Sequence, residues 1–280
     1  MQRTEPARHL PSEPRSATRE GQRVYPRRTA ALATLALASA ASLASCVTTP
    51  VTGRSAFNLV PVEQDKQLGA QAYADMLAGA PVADQHPAAA QVRKVVERLV
   101  AVAQSDVPVD FDWEVRLIDD PAMVNAWCLP GGKMAVYTGI LPVTQNAAGL
   151  AVVMAHEIAH AVARHGTERM TQQLGLQTVL TYAAGDYAGI AGQVAALGVF
   201  LPWGRMQELE ADEIGLVYMA RAGYDPREAV EFWKRMDALG GGAPPEWLST
   251  HPSHDRRIED LQAQMPRALA EYEASGHAGP

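Results

Sequence analysis

Cysteine is almost missing from this 280-residue chain, which carries only Cys46 and Cys128. Two cysteines exclude a disulfide framework and a cysteine-rich structural zinc site. An excess of positive charge is missing as well. The formal net charge is −7, which argues against nucleic acid as a partner of the chain as a whole. No internal repeat is visible, and no repeat domain that would bind a partner. The uncharged apolar run Thr29–Ser45 has 17 residues, mostly small, marginal against the roughly 20 that a spanning helix needs. What is present, 48% apolar and 20% charged residues, is the composition of an ordinary globular protein. The length is more than one small domain requires and few for two large ones.

The first 46 residues read as something other than fold. Residues 1–28 hold seven arginines against three glutamates, with Pro6, Pro11, Pro14 and Pro26 and no apolar periodicity. A basic segment, a short apolar run and a small-residue end describe a secretory signal. The end reads Leu43-Ala44-Ser45-Cys46, which resembles the bacterial lipobox. Residues 1–46 are therefore expected to be a signal peptide with Cys46 as its lipidation site. That would tether the protein in the periplasm, and Val47 in place of Asp directs the expectation to the outer membrane of a Gram-negative bacterium. Cys128 is then a lone thiol.

Residues 47–280 read as one domain. Helical spacing covers 63–79, with Leu68, Ala72 and Leu77 on one side, and again 88–105, with the stripe Val92, Val95, Val96, Leu99 and Val102. Phe111 to Ile118 alternates as a strand, and Met134 to Thr138 follows as another after the Gly131-Gly132 turn. A long helix is expected from about Asn146 to Arg164, ending near Gly166. Within 174–201, Asp186 and Gln193 interrupt a Gly/Ala-rich run, so buried or cleft-covering helices are expected rather than a span. Gly240-Gly241-Gly242 marks a loop, and the tail after about 268 is expected to fray.

The long helix carries the chemistry, in the segment His156-Glu157-Ile158-Ala159-His160. Histidines at i and i+4 leave one helix face a turn apart, so both rings can reach one Zn²⁺. Glu157 stands beside the first of them, placed to take the proton of a water attacking a peptide carbonyl. The flanking residues, from Ala151 to Val162, are apolar nearly all round, so the helix is expected to be buried. Buried histidines and a glutamate must find partners. A catalytic zinc site uses three protein ligands and keeps one position open. Downstream, Glu208 and Asp212 lie i, i+4 on a helical segment. Glu208 could ligate while Asp212 holds a ligand histidine, although taken alone the pair reads equally as a solvated acidic face. His165 and His254 read as surface residues, His165 suiting a helix C-terminus.

HEIAH at 156–160, ELEAD at 208–212 with Gly215, the block Asn125-Ala126-Trp127-Cys128-Leu129-Pro130-Gly131-Gly132-Lys133 and the block His251-Pro252 with Arg256-Arg257 occur in that order. Together they resemble the zinc peptidase family typified by HtpX and the CAAX prenyl protease. The likeness is nearest to its soluble periplasmic BepA-like and LoiP-like members and to the catalytic domain of the mitochondrial overlapping-activity peptidase. It spans about 47–265.

The resemblance implies an α+β, mainly helical, zincin-like domain with a small antiparallel sheet around the HExxH helix. It implies one Zn²⁺ per chain on His156, His160 and Glu208, with Glu157 as general base and Asp212 as orienter. His251 would approach the metal's open position, as autoinhibitor or transition-state support, against the plainer reading of a loop-capping histidine. The 125–138 segment, with Asn125, Ala126, Gly131, Gly132 and Met134, would line the cleft and bind extended substrate as an added strand. The expected activity is endoproteolysis of misfolded or envelope proteins. The expected partners are unfolded protein substrates, the membrane through Cys46 and outer-membrane assembly machinery. The rival reading is a chaperone or assembly factor whose zinc site is suppressed by His251. A non-proteolytic zinc hydrolase is compatible with the same ligands.

Overall fold

A computed structural model of the chain describes residues 46–107, 109–184, 201–239, 245–251 and 256–276. The basic leader and apolar run up to Ser45, most of the expected cover between 174 and 201, the loop at 240–242 and His254 lie outside the described residues.

The described chain opens with a small hairpin, β1 (Cys46–Thr48) against β2 (Ser55–Phe57), antiparallel with Val47 opposite Ala56. Helix α1 (Val62–Leu77) and helix α2 (Ala89–Ala103) follow, then strands β3 (Glu114–Ile118), β4 (Ala126–Leu129) and β5 (Lys133–Tyr137). A short helix α3 (Leu141–Thr144) leads into α4 (Ala147–Val162), α5 (His165–Ala184), α6 (Leu201–Arg221), α7 (Glu228–Ala238), α8 (Glu246–Thr250) and α9 (Arg257–Ala274). The mainly helical α+β class expected from the sequence stands.

Helix α4 is the axis of the core. Its sequence, AAGLAVVMAHEIAHAV, has no proline and one glycine, and Asn146 caps it by accepting the Gly149 N–H at 2.9 Å. Every residue from Gly149 to Ala159 is buried. Helices α2, α6 and α7 and strand β4 surround it, which removes from water the apolar surface that a helix apolar all round would otherwise expose. Arg164, at φ 58, turns the chain sharply between α4 and α5, so the helix stops two residues before the expected end.

The three-stranded sheet has the order β3-β5-β4. It is mixed, where an antiparallel sheet was expected. β5 runs antiparallel to β4 through the Gly131-Gly132 hairpin but parallel to β3, with Met134 facing both Cys128 and Val115 in register. Gly131 and Gly132 adopt φ of 82° and 90°, which only glycine does without strain. The strand expected from Phe111 starts at Glu114. Phe111 and Trp113 lie before it and pack on each other, ring centroids 5.2 Å apart.

Two further expectations change. Leu68 of α1 is exposed, and the buried residues are Asp65, Gly69 and Tyr73. A Cβ on Gly69 would stand 1.8 Å from the Pro130 carbonyl oxygen, so the missing side chain lets α1 lie directly on the β4–β5 turn. Asp65 meets the Arg164 Nε at 2.6 Å. The inward face is thus set by a close approach and an ion pair, which an apolar stripe does not report. The tail expected to fray after 268 is helical to Ala274, with Ala268 fully buried.

Candidate metal centre

His156 and His160 leave the same side of α4, and α6 brings Glu208 and Asp212 opposite them. His156, His160, Glu208 and His251 each offer a ligand atom, all within 4.8 Å of one another. The His156 Nε2 to His160 Nε2 distance is 3.1 Å. Glu208 Oε2 lies 3.3 Å from His156 Nε2, and Glu208 Oε1 lies 3.4 Å from His160 Nε2. Zinc bonds of 2.0–2.1 Å at tetrahedral angles place donors about 3.4 Å apart, so the two imidazole nitrogens and the nearer Glu208 oxygen of each lie close to the separation that one zinc requires. Both carboxylate oxygens of Glu208 are buried without a hydrogen bond. The guanidinium nitrogens of Arg257 and Arg169 stand 3.5 and 3.6 Å from them. A buried carboxylate left this way needs a cation, and the donor set of two imidazoles and one carboxylate is that of a catalytic zinc site.

The surroundings agree. Burial opposes a charge on His156, yet its hydrogen bond to Asp212 and the negative charges of Asp212 and Glu208 push its pKa up to about 9. Burial also works against ionised Glu208, but the electrostatic pull of His160 and His156 holds it well below the usual carboxylate range. So much buried negative charge calls for a positive centre. Asp212 Oδ1 sits 2.9 Å from His156 Nδ1, and Arg257 clamps the carboxylate, Nε donating to Oδ2 at 2.7 Å and Nη2 to Oδ1 at 2.9 Å. This two-step support turns the His156 Nε2 lone pair toward the cluster.

Glu157 is buried on the same helix, and its Oε1 accepts the Trp247 indole N–H at 2.7 Å. Trp247, fully buried from α8, stacks on Trp233 at 5.2 Å. His251, just beyond α8, places Nε2 3.6 Å from Glu157 Oε1, with its ring 5.1 Å from both His156 and His160. Burial lowers its pKa, which keeps a lone pair available.

A cleft of about 230 Å³ opens onto this group. Trp127, Cys128 and Pro130 line one side and Glu157, His160 and His251 the other. Among the described residues β4 is an edge strand. Of the residues expected to bind substrate, Ala126 lies on β4 but is buried, and Asn125 immediately precedes it with its carbonyl already bonded to the Tyr137 N–H. Gly131 and Gly132 form the hairpin turn, against Lys66 and Trp113. Met134 does not fit that role: it is fully buried on the central strand, with β3 and β4 on either side.

His165 is the other correction. Expected at the surface, it is 1% exposed, because the turn at Arg164 makes it the first residue of α5 and folds it back onto His160, 2.8 Å between their Nδ1 atoms. Its Nε2 meets Glu210 Oε2 at 3.0 Å. Burial lowers its pKa. Trp247, Arg257 and His165 were the contributors missed. Arg257 lay within the C-terminal block already singled out, and Trp247 stands four residues before His251, on the same helical side.

The fold and the donor set define a class, the zinc-dependent metalloendopeptidases with an HExxH helix. The chain belongs to peptidase family M48, whose sequence pattern matches residues 87–265. It is 36% identical over 235 residues to the mitochondrial metalloendopeptidase OMA1 of Schizosaccharomyces pombe, covering 81% of this chain and 68% of that protein. Against the mitochondrial metalloendopeptidase OMA1 of Homo sapiens the identity is 33% over 242 residues, 79% of this chain and 46% of the other. It is 28% over 233 residues against the beta-barrel assembly-enhancing protease of Escherichia coli (strain K12), 78% and 47%. The chain thus spans about half the length of the last two. The expected placement, lipid-anchored in the periplasm at a Gram-negative outer membrane, is overturned here, because the relatives of higher identity are named as mitochondrial proteins. Among the described residues no single helix is long and apolar enough to cross a membrane.

Proposed function

We propose that this chain is an endopeptidase for unfolded or misfolded protein segments, with one zinc ion held by His156, His160 and Glu208. The observation that carries the reading is the spacing of 3.1 to 3.4 Å among those donors around a buried Glu208 that has no hydrogen bond. Zinc bound there supplies Lewis-acid chemistry, polarising a peptide carbonyl and acidifying a water. Glu157 takes the water's proton on its carboxylate and passes it to the departing amine nitrogen. The Trp247 N–H holds Oε1 in place for both transfers, and the Asp212–Arg257 pair keeps His156 in the tautomer with a free Nε2. The edge of β4 beside the cleft offers main-chain groups to an extended peptide, a mode that reads little of the sequence and suits unfolded chains.

The test is zinc content and cleavage of unfolded casein by the wild type and Glu208→Ala. The expected result is one zinc per chain in the wild type, with the variant losing both metal and activity. Undiminished zinc in the variant would remove Glu208 from the ligand set.

His251 favours a second reading, in which the domain mainly binds unfolded chains while this histidine closes the metal's open position. Its Nε2 lies 3.6 Å from Glu157 Oε1, and it falls within the cluster of donor atoms. As a brake on the peptidase, His251 makes His251→Ala more active on casein than the wild type. Absence of cleavage by both, with casein still bound, would favour the binder.

A further inference from the structure

Glu210 is absent from the proposed ligand set although it sits two residues beyond Glu208. It is buried at 6% exposure and surrounded by donors. Thr49 Oγ1 donates to its Oε1 at 2.7 Å and Thr52 Oγ1 at 2.5 Å. Arg54 Nε donates to Oε2 at 2.5 Å while its two terminal nitrogens grip Glu168 at 2.8 and 2.9 Å. These three residues belong to the hairpin β1–β2 and its turn, which lies before the stretch 87–265 matched by the family pattern. The remaining partner of Glu210 Oε2 is His165 Nε2 at 3.0 Å, and His165 Nδ1 is 2.8 Å from His160 Nδ1.

The direction of this chain of bonds follows from what each group can do. An ionised carboxylate only accepts, so His165 Nε2 carries a proton and donates it to Glu210. A neutral imidazole then has a bare Nδ1, which accepts from His160 Nδ1–H. That leaves the lone pair of His160 on Nε2, the atom 3.4 Å from Glu208 Oε1.

We infer that His165 is a positioning residue for metal binding, and that the hairpin 46–57 latches it through Glu210, fixing the tautomer and ring orientation of His160. His156 receives the same service from Asp212 and Arg257, so the two histidines are oriented by separate supports from opposite ends of the chain. The inference rests on the ligand assignment proposed above.

The experiment measures zinc affinity by competition with a chromophoric chelator and the visible absorption of the cobalt-substituted protein, in the full chain. His165→Phe fills the space without donor or acceptor. It is expected to keep its helical circular dichroism, bind zinc about 10- to 100-fold more weakly and show an altered cobalt spectrum. His165→Gln restores an acceptor and a donor, and is expected to recover much of the affinity. Arg54→Met, distant from the metal, is expected to weaken zinc binding in the same direction by a few-fold, on the order expected for loosening an outer support. Wild-type affinity and spectrum in folded His165→Phe overturn the relay. Equal losses in His165→Phe and His165→Gln overturn it too, since only packing would then matter. Should His165→Phe not fold, unchanged zinc affinity in Arg54→Met is the overturning result. A His160→Ala variant that binds zinc as tightly as the wild type would defeat the ligand assignment itself, a failure distinct from the relay's.

Discussion

Trp247 shows how much of the site is set by single side chains far from the motif. Its indole N–H is bonded to Glu157 Oε1 in a buried setting, and a hydrogen bond to a charged group contributes about 1.5–3 kcal/mol. Trp247→Phe keeps an aromatic ring beside Phe232 and Trp233 but removes that donor. Casein cleavage is expected to fall roughly 10- to 100-fold with zinc content unchanged; wild-type activity would show that Glu157 needs no such support. At this scale the sequence was readable where spacing alone fixes geometry. His156, Glu157 and His160 sit on one helix, so their relation follows from 3.6 residues per turn. Trp247, Arg257 and His165 reach the site from other elements. A tryptophan reads as core, and a histidine after a helix reads as a dipole-favoured surface group. Only the backbone turn at Arg164, with φ 58, explains why His165 points inward.

Between elements, the site depends on how closely α6 approaches α4. Gly215 lies at that crossing, where an added Cβ would come within 3.0 Å of the His156 backbone nitrogen and 3.1 Å of its Cα. Gly215→Ala must push the helices apart by a few tenths of an ångström. Glu208 and Asp212 travel with α6, so the distances of 3.3 and 2.9 Å to His156 lengthen. The expected outcome is a destabilisation of about 1–3 kcal/mol together with weaker zinc binding, checked by thermal unfolding with and without a chelator. A full-affinity, wild-type melting variant would show that the helix contact has slack. Helices α2 and α4 were legible because their apolar faces are wide. The sheet's mixed order was not, since hydrophobic alternation in β3 and β5 carries no strand direction. The inward face of α1 was hidden for a related reason: Gly69 and Asp65 face the core where an apolar stripe was sought.

For the molecule as a whole, the hairpin at 46–57, the central helix pair and the C-terminal helix all converge on one cluster of buried charge. Arg54, Glu168, Glu210, Asp212 and Arg257 are drawn from regions up to about 200 residues apart in sequence and are linked by ion pairs or hydrogen bonds. Such a network is costly to bury unless it is completed. On the ligand assignment proposed above, a cation on His156, His160 and Glu208 would complete its centre, with Glu157 beside it as the proton carrier. The most direct test of that account is Glu157→Gln, measured for bound zinc and for cleavage of an unfolded protein. The expected result is one zinc per chain, as in the wild type, with cleavage reduced at least 100-fold. A Glu157→Gln protein that cleaves at the wild-type rate would contradict it.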